Sequence, residues 1–314
     1  MNTYKNKNIL VTGGSGVIGR ELIKQLIKSG AKVRNVDFTP QPKTLTDLGV
    51  EQIQVDLSDF NSQFLFRFEP DYVFHLAADF ERSTESKVFW DSNWKNNILA
   101  SRHLLEKIIN FDSLKKIIFT SSYLIYNKEL YNDPTNPKCL SENDITDPRN
   151  LCGLAKLQTE TDLHFLSNFY DVEVVSARIY RVYGKGDRAI ITRWVQDILN
   201  NKEIKVFDET NSFDYILADD VAEGLLRLGA NKTPHLIYNL GSGKNNSIKD
   251  VFNILQTKFP NLKYQKTNNS IQLEGSYANM DRFKKELDWC PSTPLKEGIE
   301  QIINFEKYKN EKYK

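Results

Sequence analysis

Cysteine is scarce in this chain. Cys139, Cys152 and Cys290 are three in 314 residues, an odd number, set too far apart to suggest a zinc site or a redox couple. The four histidines, His75, His103, His164 and His235, also lack metal-ligand spacing, so no metal site is expected. No apolar run approaches the roughly 20 residues that cross a bilayer, and the opening MNTYKNKN leads directly into the strand-like ILVTG. A soluble, unprocessed, cytoplasmic protein with no membrane partner is the expectation. Charge of one sign is absent too: the formal net charge is +1 without long like-charged runs, which argues against a nucleic-acid partner or an acidic tail. What remains is an ordinary globular composition, 40% hydrophobic and 26% charged, with length for about two domains.

Short β-branched apolar runs alternate with amphipathic stretches. NILVT (8–12), KVRNVD (32–37), IQVD (53–56), YVFHL (72–76), KKIIFTSS (115–122) and VEVVSAR (172–178) read as strands. Helical patterns fall before Ser29, around 88–110 and near 150–169. This rhythm predicts α/β architecture, a doubly wound parallel sheet with crossover helices. After about residue 180 the order loosens into a helix at 190–199, another starting at Asp219 or Asp220, the turn NLGSGKNN (239–246) and two further helical segments. A smaller mixed α/β C-terminal domain is expected from about 179–212 plus 241–314, with 1–178 plus about 213–240 forming the larger one. The charged end KYKNEKYK reads as frayed helix or disorder.

The sharpest local signal is TGGSGVIG, with Gly13, Gly16 and Gly19 directly after the first strand and opening an amphipathic helix. A dinucleotide pyrophosphate needs a tight turn, a bare backbone it can approach, and a helix N-terminus whose N–H groups attract anions. Glycines supply the first two, and Gly19 lets the helix pack close to the sheet. Asp37 ends the second strand 18 residues after Gly19, where a carboxylate accepts the ribose hydroxyls and repels a 2′-phosphate. A Rossmann-type domain holding NAD follows, with Arg34 as a neighbour able to soften the preference over NADP. Asp56 is placed either at the adenine amine or as a cap after its strand.

Taken with these, several segments resemble the extended short-chain dehydrogenases/reductases acting on nucleotide sugars, the NAD-dependent epimerase/dehydratase family. HLAA (75–78), Asn97 in the following helix, TSSYLIY (120–126), RIYRVYG (178–184), FDYILADDVAEGL (213–225), NLGSG (239–243) and KKELDW (284–289) followed by Pro291 fall in family order and cover most of the chain. The resemblance implies a cofactor site of Gly13, Gly16, Val17, Ile18, Gly19, Asp37, Phe38, Asp56, Leu57, Leu76, Ala77, Ala78, Asn97, Thr120, Lys156 and Ile179. It also implies that Ser122 hydrogen-bonds the reacting sugar oxygen and that Lys156 holds the cofactor ribose.

The family sets a tyrosine four residues before that lysine as the proton-transfer group, and here the position is Cys152. Three readings stand open: the thiol works through a water, another group such as Tyr123 moves the proton, or Cys152 is a small buried residue. Family dehydratases carry an acid pair after the catalytic hydroxyl, where this chain has Tyr123 and Leu124, which argues against dehydration by that route. Hydride transfer at one sugar carbon asks least of the site. The implied function is thus an NAD-dependent nucleotide-sugar dehydrogenase, acting at carbon 4 of a hexose or heptose in surface-polysaccharide precursor synthesis. A 4-epimerase and a catalytically silent NAD-binding protein remain as alternatives.

The arginine that often precedes DYI is Phe213, so the substrate's diphosphate is assigned to Arg181, Arg188 and Arg193. Asp79, Arg82 and Ser83, in the loop after the fourth strand, join Ser122 and Tyr123 as candidate sugar contacts. Trp90 and Trp94 read as core or interface packing. The helices near 88–110 and 150–169 correspond to the family's pairing helices, which implies a homodimer or higher homo-oligomer.

Overall fold

The computed structural model describes residues 2–80, 85–187, 189–267 and 273–312. The first half runs β1 (Asn8–Thr12), α1 (Val17–Lys28), β2 (Lys32–Asp37), α2 (Lys43–Thr46), β3 (Glu51–Gln54) and β4 (Tyr72–His75). Next, α3 (Lys87–Asn93) passes through a π-helical stretch, Trp94–Leu99, into α4 (Ala100–Ile108). There follow β5 (Lys116–Ser122), β6 (Lys138–Leu140), α5 (Leu151–Ser167), β7 (Glu173–Ile179), β8 (Arg181–Tyr183) and α6 (Ile190–Leu199). The remainder is β9 (Ile204–Phe207), β10 (Ser212–Phe213), β11 (Tyr215–Leu217), α7 (Ala218–Ala230), β12 (Ile237–Leu240), β13 (Asn246–Ser247), α8 (Ile248–Lys258), β14 (Tyr264–Thr267), β15 (Ser276–Ala278), α9 (Asp281–Leu287) and α10 (Leu295–Lys312).

Seven strands form one sheet in the order β12-β7-β5-β4-β1-β2-β3, and β1, β2, β3, β4, β5 and β7 pair in parallel. The expected doubly wound sheet is therefore present. Its central strands read as nearly unbroken apolar runs because both faces are covered, successive residues of β1, β4 and β5 being buried; on one face Leu10, Val73, Ile117 and Phe119 pack with Leu104, Ile108 and Leu163 from α4 and α5. The chain moves from β1 outward to β3, then returns to the other side of β1 as β4. That reversal opens a crevice at the carboxyl ends of β1 and β4, the place where ligands bind in such sheets.

Local chemistry sets the helix starts. Asn150 accepts a hydrogen bond from the Gly153 amide at 2.8 Å to begin α5, Ser86 accepts from Phe89 at 3.0 Å to begin α3, and Ser247 with Asp250 closes a reciprocal cap on α8. Gly153 has a second reason to be glycine. A Cβ there would lie 2.5 Å from the Leu124 carbonyl oxygen, so its bareness lets α5 lie against the turn after β5.

The chain divides into two compact units, residues 1–127, 145–179 and 222–238 in the first and 128–144, 180–221 and 239–314 in the second. Segments 128–144 and 213–221 thus group differently from the sequence-based boundaries. The physical reason is pairing within the second unit, where β6 takes β15 as its parallel partner and β11 takes β8. The third strand is also displaced, to Glu51–Gln54, and of the two readings of the charged end, frayed helix or disorder, the helical one holds through Lys312 in α10.

The second unit has its own core, in which Tyr183, Trp194, Ile204, Phe213, Phe252 and Ile302 are buried together. Asp214 is buried and accepts hydrogen bonds from the Ser242 amide and hydroxyl, both at 2.6 Å, from Gly243 at 2.9 Å and from Ala278 at 3.0 Å. Burial pushes this carboxyl up, against the opposing pull of those donors.

In the first unit Arg178 of β7 pairs with Glu160 of α5 through two contacts of 3.1 and 2.9 Å, the side chains being 3% and 5% exposed. Its guanidinium also lies 4.9 Å from the Tyr126 ring centre. Removing one partner of such a pair leaves an uncompensated buried charge. Glu160→Ala should therefore cost about 3–5 kcal/mol, read as a lowered urea midpoint, while Glu160→Met with Arg178→Met should recover most of the loss. A single variant as stable as the parent would show that water reaches the pair.

Candidate active site

The glycine turn is built by backbone closeness. Gly13 has φ +73°, and a Cβ there would meet the Ala77 amide nitrogen at 2.6 Å, so only glycine lets the end of β1 lie against the segment after β4. Gly16 caps α1 without any side-chain hydrogen bond, and no acidic residue occupies the first turn. The first N–H groups of α1 are thereby left for an anion, with half-buried Val17 and Ile18 over them. A Cβ at Gly19 would meet Gly14 Cα at 2.5 Å. These features fit the pyrophosphate of a dinucleotide.

Asp37 sits at the end of β2, accepting from the Ser15 amide at 2.9 Å and from the Thr39 amide and hydroxyl at 2.9 and 2.8 Å. The turn and the acid are thus hydrogen-bonded into one piece, with exposed Phe38 beside them. Arg34 has a different duty. It is buried, paired twice with Glu51 at 3.0 Å, donating to the Phe64 and Phe66 carbonyls and lying 4.3 Å from the Phe68 ring centre. Such commitment removes the expected softening of NAD preference, because a guanidinium so engaged is not offered to a 2′-phosphate.

Asp56 caps its own turn through the Ser58 amide and hydroxyl, as one of its two sequence readings expects, and pairs with Lys95 at 2.8 Å. Burial would raise this carboxyl, but the bonds from Lys95 and Ser58 outweigh that and hold it below the usual range. Leu57 beside it is buried, and its carbonyl accepts a hydrogen bond from the His103 Nδ1 at 2.6 Å.

A polar chain that the sequence reading did not pick out connects the turn to the far helix. His75 is buried between Thr12 at 2.7 Å and Ser101 at 2.8 Å, and Ser101 donates onward to the Asn97 carbonyl at 2.5 Å. Since the Ser101 hydrogen is spent there, the His75 ring must donate through Nε2 and accept from Thr12 through Nδ1. Burial, aided by the Lys156 charge, pushes the ring down to about 3 and keeps it neutral. The Thr12 oxygen accepts the Ala77 amide at 3.2 Å, Leu76 bonds the Thr12 carbonyl, and Thr120 donates to the His75 carbonyl. Exposed Ala78 leads on to the loop. The legible signal was the pairing of Thr12 with the glycine turn and of Ser101 one helical turn after Asn97.

Asn97, in the π-helical stretch, holds the backbone of Asp79 from both sides: its Oδ1 accepts from the Asp79 amide at 2.6 Å and its Nδ2 donates to the Asp79 carbonyl at 2.8 Å. π-Helical turns often mark functional places, and Asn97 lies within this one. The Asp79 carboxylate is bound by Ser92 and by Asn96. It therefore anchors the loop after β4 to its following helix. Arg82, Ser83 and Arg188 lie outside the described residues.

Ser122 ends β5, paired with Ile179 of β7, and its Oγ accepts the Leu124 amide at 3.2 Å. Among the described residues no protein group accepts its hydroxyl hydrogen. Tyr123 is buried in the short turn that follows. On α5, Cys152 and Lys156 stand one helical turn apart. Cys152 is 4% exposed and its thiol donates to the same Asp79 carbonyl at 3.3 Å. The Lys156 ammonium lies 4.7 Å from the Phe119 ring centre, and burial brings it down to about 8 against the pull of Cys152 and Glu160.

Residues 9–241 match the family described as NAD dependent epimerase/dehydratase. The chain belongs to that family. A UDP-glucuronate 4-epimerase of Thermodesulfobacterium geofontis is 28% identical over 326 residues, covering 95% of each chain. A dTDP-4-dehydro-6-deoxyglucose reductase of Escherichia coli is 26% identical over 319 residues, covering 96% of this chain and 98% of that one. The solved UDP-glucose 4-epimerase of Thermotoga maritima with UDP-glucose superposes with a TM-score of 0.83 at 25% identity, covering 97% and 99%. As a member of the NAD-dependent epimerase/dehydratase family, the protein has the expected cofactor in NAD. No helix among the described residues is long and apolar enough to cross a membrane.

In the second unit, Arg181 is 40% exposed, lies 3.7 Å from the Phe213 ring centre and approaches Glu274 at 3.8 Å. Arg193 is exposed on α6. Within the cofactor site the sharpest measurable element is Asp37. Asp37→Ala should weaken NAD+ binding by about 1.5–3 kcal/mol by calorimetry, the range for a hydrogen bond to a charged group, and should narrow the gap to NADP+. Unchanged NAD+ affinity would remove Asp37 from the site.

Proposed function

We propose that the protein transfers hydride between NAD and carbon 4 of a hexose or heptose carried on a nucleoside diphosphate, supplying a precursor of a surface polysaccharide. The observation that carries this reading is Ser122. Its hydroxyl hydrogen has no protein acceptor among the described residues, and it stands at the carboxyl end of β5 in a sheet whose glycine turn and Asp37 fit NAD. The hydroxyl can donate to a sugar oxygen while that oxygen's carbon exchanges hydride with the cofactor. Lys156 is suited to hold the ribose.

Arg181 supports the substrate class. The guanidinium lies 3.7 Å from the ring centre of Phe213, the position where the resemblance expects an arginine, so β8 returns to that place the positive charge that residue 213 lacks. With Arg188 and Arg193 it is assigned to the diphosphate oxygens. The names of the relatives, a 4-epimerase and a 4-keto-sugar reductase, favour chemistry at the same carbon. A 4-epimerase is the second reading, since it begins with the same oxidation and then returns the hydride to the other face.

A homodimer through α3, α4 and α5 completes the proposal. Trp90 and Trp94 are 61% and 57% exposed, one helical turn apart, and Leu154 and Phe165 are exposed along α5.

Purified protein screened with NAD(H), NADP(H) and GDP-, UDP-, CDP- and dTDP-sugars should gain thermal stability with NAD(H) and with one sugar class, with a change in NADH absorbance. The mass of the same sample in solution should be that of a dimer. NAD(H) stabilisation with no response to any nucleotide sugar would overturn the reading in favour of a silent dinucleotide binder.

A further inference from the structure

We propose that Lys156 itself exchanges the proton of the reacting sugar hydroxyl, and that Cys152 is a structural donor with no part in the transfer. This rests on the hydride-transfer reading above. The first support is where the thiol hydrogen goes. Cys152 donates to the Asp79 carbonyl, which Asn97 also holds, so its hydrogen belongs to the clasp that fixes the loop after β4. A sulfur one bond from Cβ, buried and committed to a backbone oxygen, is poorly placed to serve a substrate.

The second support is what surrounds the amine. From β5, Phe119 presents its ring face. From β4, His75 is neutral and bonded at both nitrogens. Along α5, Cys152 lies one turn before Lys156, and Glu160 one turn after it is already matched by Arg178 of β7. Among the described residues, Lys156 thus has no ion-pair partner of its own in a half-buried, largely apolar setting. Burial favours its uncharged form. An amine that is neutral for part of the time near physiological pH can take a proton, as catalytic lysines do.

The step balances. In oxidation the sugar carbon gives a hydride to NAD+, the C–O bond becomes C=O, and the hydroxyl proton passes to the lysine amine, leaving a keto sugar, NADH and an ammonium group. Reduction runs the same exchange backward. Ser122, holding the sugar oxygen, steadies the negative charge as the O–H bond breaks.

Two measurements decide the matter. Competitive labelling of all lysines with limiting acetic anhydride across pH, read by peptide mass, needs no substrate. Lys156 should reach half its own plateau near pH 8, whereas an ordinary lysine does so near pH ~10.4. A midpoint with the other lysines would overturn the proposal. With UDP-glucose as the trial sugar and NAD+ as oxidant, Cys152→Ala should keep the rate within about threefold, and Lys156→Arg, which keeps the charge but not the basicity, should lose roughly 100-fold or more. Lys156→Arg should still bind NAD+, and the wild-type oxidation rate should rise with pH through about 8 because the amine must be neutral to accept. A fast Lys156→Arg variant, or a dead Cys152→Ala variant that still binds NAD+, would overturn the proposal. If neither UDP-glucose nor any other sugar of the panel is oxidised by the wild type, hydride transfer falls as the function and the proton-exchange role of Lys156 falls with it, whereas a Lys156 midpoint with the other lysines in an enzyme that does oxidise the sugar overturns the lysine's role alone.

Discussion

The site depends on one close approach, the backbone of Gly13 against the backbone of Ala77. The two segments leave the carboxyl ends of neighbouring strands, β1 and β4, at the point where the chain reverses across the sheet. Any side chain at position 13 would push them apart, and the loss would not stop there. Thr12 bonds both the Ala77 amide and His75, His75 bonds Ser101, and Ser101 bonds the helix that presents Asn97. Through Asn97 the same chain reaches Asp79 and Cys152. The turn that fits the pyrophosphate and the loop beside the reacting groups are one connected structure, held by short buried polar contacts whose every member is satisfied.

That continuity clarifies the substitution at position 152. A thiol occupies little space, and this one has found a backbone acceptor that a larger side chain from the same position would displace. The consequence reaches along α5, where Cys152, Lys156 and Glu160 share a face and serve three separate purposes: closing a loop, carrying exchangeable charge, and neutralising Arg178. A helix four residues per step is an economical way to line up such different duties, and only the middle one faces chemistry.

Much of this was legible in the sequence, for physical reasons that can be named. Strands covered on both faces must be apolar throughout, so NILVT, YVFHL and KKIIFTSS announce themselves, and glycines at 13, 16 and 19 follow from backbone approach alone. Arg34 was misleading, because a charged residue on an otherwise apolar strand gives no hint that Glu51, Phe64, Phe66 and Phe68 will assemble around it. Asp79 reads as a solvated loop acid until Ser92 and Asn96 are folded beside it. His75 likewise looks like a site residue or a core residue with equal ease, since its two partners lie 63 and 26 positions away. β6 escaped notice because a three-residue strand carries almost no periodicity, and its pairing with β15 is settled only by a distant segment.

Asp214 has a bearing on how the chain comes into being. Its carboxylate waits for amides from Ser242, Gly243 and Ala278, so the last of its partners emerges from the ribosome 64 residues after it does. Until then a buried anion would stand in an unfinished core. The first unit is also discontinuous, needing residues 222–238 to complete itself. The first unit therefore cannot close until residue 238 has emerged, nor the second until partners from 239–314 follow, so the early strands wait with unpaired edges, an interval in which such edges are prone to aggregate.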